Sequence, residues 1–202
     1  MELDDFKAIW TKEQKELEDR LIINEDLLRQ MTADNSKSKF SKHLKVSILG
    51  RNLAIVYMLM SMFFAYLIIE EYQYSIPAIV GGVAMLFSFM QHQSLKHPDF
   101  SNMTTLELQK TISKFRIHTS NSSKYDILIL LFWHITIIPA ILKGSFNISV
   151  YDNWKNGSVF LFGILVLILG TLLFSKKIYK KIDSELAEST KQLESISLFE
   201  QN

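Results

Sequence analysis

The sequence predicts an all-α, polytopic membrane protein with four transmembrane helices and long cytoplasmic helical extensions. Three observations carry that prediction. Hydrophobic residues make up 48% of the chain, and most are gathered into four nearly uncharged blocks rather than spread through it. Lysine and arginine collect in alternate segments between those blocks. The flanking regions, 1–51 and 176–202, instead read as water-soluble amphipathic helix.

Residues 1–51 are expected to form cytoplasmic amphipathic helices. Leu3, Phe6, Trp10, Leu17, Leu21, Leu28 and Met31 fall roughly along one stripe, with no glycine or proline between them. Positions 3, 10, 17, 24 and 31 are Leu, Trp, Leu, Asn and Met, a coiled-coil row in which an Asn can fix register. The other seam row holds Glu13 and Arg20, so docking on neighbouring helices is expected rather than a long independent coiled coil. The acidic excess of this stretch reads as a solvated face. TADNSKS (32–38) reads as a helix break with capping residues. Helix then resumes and runs into the first span, with Phe40, Leu44 and Ile48 along one side of a basic stretch. A surface anchor on anionic lipid is one reading of that stretch. A helical extension of the span is the reading adopted.

The transmembrane region is 52–175, with spans at about 53–69, 76–90, 127–142 and 159–174. EEYQYS (70–75) is a tight turn after the first span. The second span opens with Pro77 and is rich in small residues (Ala78, Gly81, Gly82, Ala84, Ser88), which allow close helix approach in lipid. The hydrophilic segment 91–126 holds a capping box, Thr104 to Glu107, and a helical face of Leu108, Ile112 and Phe115. A helix of about four turns is expected there, ending at Asn121–Ser123. The third span carries His134, Thr136 and Pro139. Phe146, Tyr151 and Trp154 in the loop 143–157 suit an interfacial aromatic belt. The fourth span has Gly163 and Gly170 on one face, and the stripe Ile178, Ile182, Leu186, Leu193 and Ile196 continues it through 176–202.

Charge sets the expected orientation. Lys37, Lys39, Lys42, Lys45 and Arg51 precede the first span. Lys96, Lys110, Lys114, Arg116 and Lys124 lie in the middle loop, and Lys176, Lys177, Lys180, Lys181 and Lys191 in the tail. The other two loops carry only Lys143 and Lys155. Both termini and residues 91–126 are therefore expected in the cytoplasm. Residues 1–31 have no apolar signal-peptide core, so the first span is expected to direct insertion.

Little in the sequence points to chemistry. The absence of cysteine removes disulfides, zinc thiolate sites and thiol catalysis. His134 is the ionisable group well inside a span, which makes it a functional candidate by default. No second intramembrane acid or base accompanies it, so packing or hydrogen bonding is the expected role. His92 and His97 lie five apart beside Asp99, which is not the spacing of a helical zinc pair. No catalytic residues, metal site, cofactor or nucleic-acid surface are expected.

MELDDFKAIWTKEQKELEDRL at the start, HPDFSNMTTLELQKTISKF later and the four-span layout resemble a family of small, uncharacterised inner-membrane proteins of Bacteroidota. Genes of that family often lie beside genes for extracytoplasmic-function sigma factors. The resemblance implies a bacterial inner-membrane location and an anti-sigma-like regulatory role in signalling. The zinc-binding anti-sigma subclass needs cysteines and is excluded.

A non-enzymatic membrane protein with a cytoplasmic helical bundle for partner binding is the expected function. Its alternative is a small oligomeric transporter or channel. The expected partners are membrane lipid, a cytoplasmic protein and a second copy of the chain. The segments 3–31, 104–120 and 176–199 each present one apolar stripe, and short isolated helices are marginal in water. They are expected to pack together. Phe6, Trp10 and Leu17 are the expected contact residues of the first, opposite Ile182, Leu186 and Leu193 of the last.

Overall fold

The computed structural model describes residues 3–100 and 103–200, with side chains described for 10–100 and 103–198. The described residues form four helices: α1 (Leu3–Leu67), α2 (Tyr72–Gln91), α3 (Thr105–Phe146) and α4 (Trp154–Glu200). Each contains a stretch long and apolar enough to cross a membrane, which makes this a multi-pass membrane protein. The helices run up, down, up and down. Both termini therefore lie at the same end as the α2–α3 connection.

Two expected interruptions do not occur. α1 passes through 32–38 without a break. Thr, Asp, Asn and Ser cost only a fraction of a kcal/mol each inside a helix, and no Gly or Pro reinforces them. Locally, Thr32 donates its hydroxyl to the Leu28 carbonyl, and Ser36 is fully buried. Tertiary contact there outweighs propensity. α3 likewise runs on through Asn121–Ser123 into the third span. Ser122 is buried against neighbouring helices, and Ser123 returns its hydroxyl to the Ser120 carbonyl. The capping box at the start of α3 forms as expected, with Thr104 and Glu107 each accepting the other's backbone N–H. The backbone N–H of Thr104, and then its hydroxyl, hold the Glu107 carboxyl below its usual value. Pro77 lies inside α2 rather than in its first turn, because the helix begins at Tyr72.

Two apolar cores stack along the molecule. The first joins the spans of α1, α2 and α3 through Ala54, Ala65, Tyr74, Ala78, Met85, Trp133, Ile137 and Ala140. Small residues set the spacing here. A side chain at Gly81 would strike Thr136, and one at Gly82 would come within 3.0 Å of Ser61. Polar groups inside this core are paired: Trp133 Nε1 donates to Ser61 Oγ at 2.8 Å, and Ser61 donates to the Tyr57 carbonyl at 3.0 Å. The fourth span takes little part. Among the described residues of 159–174 only Ile164 is buried, and nothing lies within 4 Å of a side chain built at Gly163 or Gly170.

The second core lies at the end that carries both termini. Phe40 and Leu44 of α1 meet Leu108, Ile112 and Phe115 of α3 and Leu186 and Leu193 of α4, and all are at most 5% exposed. Phe40 packs edge-on against both Phe100 and Phe115. Thus the stretch around Phe40, Leu44 and Ile48 is a core wall in a continuous helix rather than a surface anchor.

The expected docking of residues 3–31 is overturned for residues 10–31, whose side chains are described. Trp10 is 63% exposed and Leu17 61% exposed, so neither faces Ile182, Leu186 or Leu193. The Phe6 side chain lies outside the described residues. Reach explains the miss. Beyond the spans, α4 projects about 37 Å and α3 about 33 Å, whereas α1 projects roughly 75 Å. The two shorter helices run out near residue 30 of α1, and the rest stands alone. The α1 residues that complete the bundle are 33–48.

At the opposite end the connections are short. Glu71 in the α1–α2 turn pairs with Lys143 at 2.9 Å. That bond raises the Lys143 pKa above its ordinary value. Asn147 closes α3 in the left-handed conformation at φ 53°, one of the few residue types that adopts it at low cost. The Tyr74 hydroxyl accepts the backbone N–H of Val150 at 3.1 Å, and its ring stacks on Tyr151.

Candidate functional site

All four helices contribute to one cavity of about 400 Å³, between the two cores. It sits near the junction of spans and extensions. α1 brings Ser47, Arg51, Ala54 and Tyr57; α2 brings Met85, Ser88 and His92; α3 brings His118, Ser122, Asp126 and Ile129; α4 brings Ser175, Ile178 and Tyr179. Its span side is apolar and its other side polar.

A row of titratable groups crosses the polar side. His118 Nε2 and His92 Nδ1 are 3.0 Å apart, and His92 Nε2 lies 2.8 Å from Asp126 Oδ1. The Tyr179 hydroxyl donates to Asp126 Oδ2 at 3.5 Å. The partners dictate the protons. A carboxylate only accepts, so His92 carries hydrogen on Nε2. Its Nδ1 then either accepts from His118 or, in the imidazolium, donates to it. In both cases a single proton lies between the two rings. A second would set two N–H groups face to face and break the contact.

The surroundings favour a neutral His118. Burial lowers the His118 pKa, the neighbouring His92 lowers it further, and Asp126 opposes both. Burial, then Asp126, pushes the Tyr179 hydroxyl up to about 12, so it remains a donor. Arg51 holds the end of α2, donating Nη1 to the Leu95 carbonyl at 2.7 Å and lying over the Phe89 ring. Its Nε and Nη2 reach Asn52 Oδ1, leaving one N–H open on each terminal nitrogen.

Ionic contacts beyond the cavity fasten α4 to its neighbours. His43 meets Glu185 at 2.7 Å, Lys39 meets Glu188 at 3.7 Å, and Arg116 meets Asp183 at 2.9 Å. The hydrogen bond from His43 holds the Glu185 carboxyl below its usual value. Among the described residues no cluster of His, Asp and Glu has the arrangement of a metal site.

The expected site residues separate into three places. Trp10 and Leu17 lie on the bare arm, while Leu186 and Leu193 are fully buried in the second core. Ile182 borders both that core and the cavity. His134 stays in the third span, where its Nδ1 lies 2.7 Å from the Leu130 carbonyl and its ring packs on Trp133. His97 is exposed. The sequence reading missed His118, Asp126 and Tyr179. The available signal was level: Arg51, His92 and Asp126 each fall within about two residues of an expected span end. No protein-family model, curated protein or solved structure matches this chain.

Proposed function

We propose that the protein is a non-enzymatic, multi-pass protein of a bacterial inner membrane whose cytoplasmic arm, residues 10–31, captures a helix of a protein partner. The observation that carries this reading is the bare stripe. Trp10, Leu17, Leu21, Leu28 and Met31 are each more than half exposed, uncovered by any other element among the described residues. They alternate by three and four with Gln14 and Asn24, the spacing of a helix-pairing seam. Charge selects the occupant. Lys12, Lys15, Arg20 and Arg29 are outnumbered by Glu13, Glu16, Glu18, Asp19, Glu25 and Asp26. A second copy would meet its own net negative charge, and a basic amphipathic helix would be attracted. An anti-sigma-like regulator is one version of this reading, with the captured helix belonging to a sigma factor. The transport alternative gains nothing from His134, whose partner is its own helix.

Photo-crosslinking residues in place of Leu17, Leu21 and Leu28, in cells, test the reading, with Asp19 and Asp26 as opposite-face controls. The seam positions should join to one other protein and the controls should not. Equal capture from both faces, no adduct, or an adduct at twice the chain mass would each sink it.

A further inference from the structure

The cavity between the cores has the lining of an amphiphile site, and it owes nothing to the arm. On its polar side lie the hydroxyls of Ser47, Ser88, Thr119, Ser122 and Ser175. They are joined by the open N–H groups of Arg51. The carboxylate in the lining, Asp126, is already engaged by His92 and Tyr179. Hydroxyl and guanidinium donors around an acid that is itself engaged suit an anion. On the span side Ala54, Met85, Ile129 and Leu130 offer apolar contact to a chain attached to it.

We propose that this cavity binds an anionic phospholipid, phosphate toward Arg51 and His118 and first acyl methylenes toward Ala54 and Ile129, and that acid tightens the binding. The groups facing it are Arg51 and Tyr57 from α1, His92 from α2, His118 and Asp126 from α3, and Tyr179 from α4. The Arg116–Asp183 pair lies just beyond, beside Tyr179. With neutral imidazoles the charges of Arg51 and Asp126 cancel. A proton added to His118 at Nδ1 leaves its contact with His92 in place and adds positive charge where the phosphate would sit. Bound anion and added proton therefore favour each other by linkage.

The full-length protein, delipidated in a maltoside detergent, is mixed with phosphatidylglycerol, phosphatidylcholine or glycerol-3-phosphate. Native mass spectrometry counts the bound ligand at about pH 7.5 and about pH 5.5, either side of the usual histidine range. Phosphatidylglycerol should bind once per chain, ~tenfold tighter at the lower pH, the effect of about one pKa unit of coupling. Glycerol-3-phosphate should bind more weakly and compete. His118→Gln keeps a hydrogen-bonding side chain without the proton and should abolish the pH dependence alone. Ala54→Leu should weaken the lipid and spare glycerol-3-phosphate. Ser122→Ala, a milder change, should weaken both about tenfold through loss of a donor to a charged group. Thermal unfolding of each variant shows that it is folded. Equal affinity for phosphatidylcholine, or pH dependence surviving in His118→Gln, would overturn the proposal. Glycerol-3-phosphate binding as tightly as the lipid would assign the cavity to a free phosphoester instead.

Discussion

Two stretches of this protein have nearly the same pattern and opposite fates. Residues 10–31 of α1 and 182–196 of α4 are each amphipathic, each joined without a break to an apolar span. In α4 the stripe is consumed: Leu186 and Leu193 are 0% exposed. In α1 the stripe is bare: Leu21 and Leu28 are 58% and 63% exposed. The difference is not in the residues but in what lies alongside. The α4 tail rises between α1 and α3, while the α1 arm passes beyond the ends of both. An apolar stripe states that a helix can use a partner. Whether the chain supplies it depends on the lengths of other helices.

That contrast is easiest to break from the buried side. Leu186→Ala removes a fully buried side chain of the second core, and should cost about 2–5 kcal/mol. Hydrogen exchange of the detergent-solubilised protein should show faster exchange across 182–196 and 36–44. Unchanged protection there would mean that the bundle does not depend on this core. The same truncation at Leu17 should stay within about 0.5 kcal/mol, with no change in exchange outside the arm.

Acid supplies an intermediate effect. The His118 pKa is lowered in the folded protein. Its contribution to stability is therefore complete above its unfolded value of 6.5 and is lost as pH falls toward the folded value. Glu185 is likewise lowered, so its contribution holds above 4.5 and fades only at lower pH. Thermal unfolding should first weaken just below pH 6.5 in the wild type. It should do so less in His118→Gln, and a second loss near pH 4.5, to which Glu107 also contributes, should shrink in Glu185→Gln.

The smallest effect belongs to the arm itself. Glu25 and Arg29 sit 3.6 Å apart, one helical turn apart on an exposed surface. Glu25→Ala should change stability by no more than about 0.5 kcal/mol. A drop in thermal midpoint comparable to Leu186→Ala would show that the arm is docked after all.

How much could be read in advance follows the range of each interaction. The spans were legible because crossing lipid demands a contiguous apolar run, a property of neighbours in sequence. The Thr104 cap was legible for the same reason, since its partner is three residues away. The continuity of α1 through 32–38 was not. There the local preference is weak, and burial of Ser36 and Phe40 against distant helices decides. The histidine row was further out of reach, because His92 meets partners 26 and 34 residues away on another helix. Its members were visible singly, as polar residues near the span ends, but nothing in the sequence aligned α2, α3 and α4 in rotation about their axes.

The unbroken course of α1 has a mechanical consequence. A helix that is continuous from Leu3 to Leu67 carries no hinge where it leaves the spans. Tilting its span by ~10° would sweep the far end through about 13 Å, given roughly 75 Å of projecting rod. Arg51, Ala54 and Tyr57 of the same rod border the cavity. Force applied at Trp10 is thereby geared down into a small rotation between α1 and the walls of that cavity. A change of packing there is geared up into a large displacement of the far end of the arm.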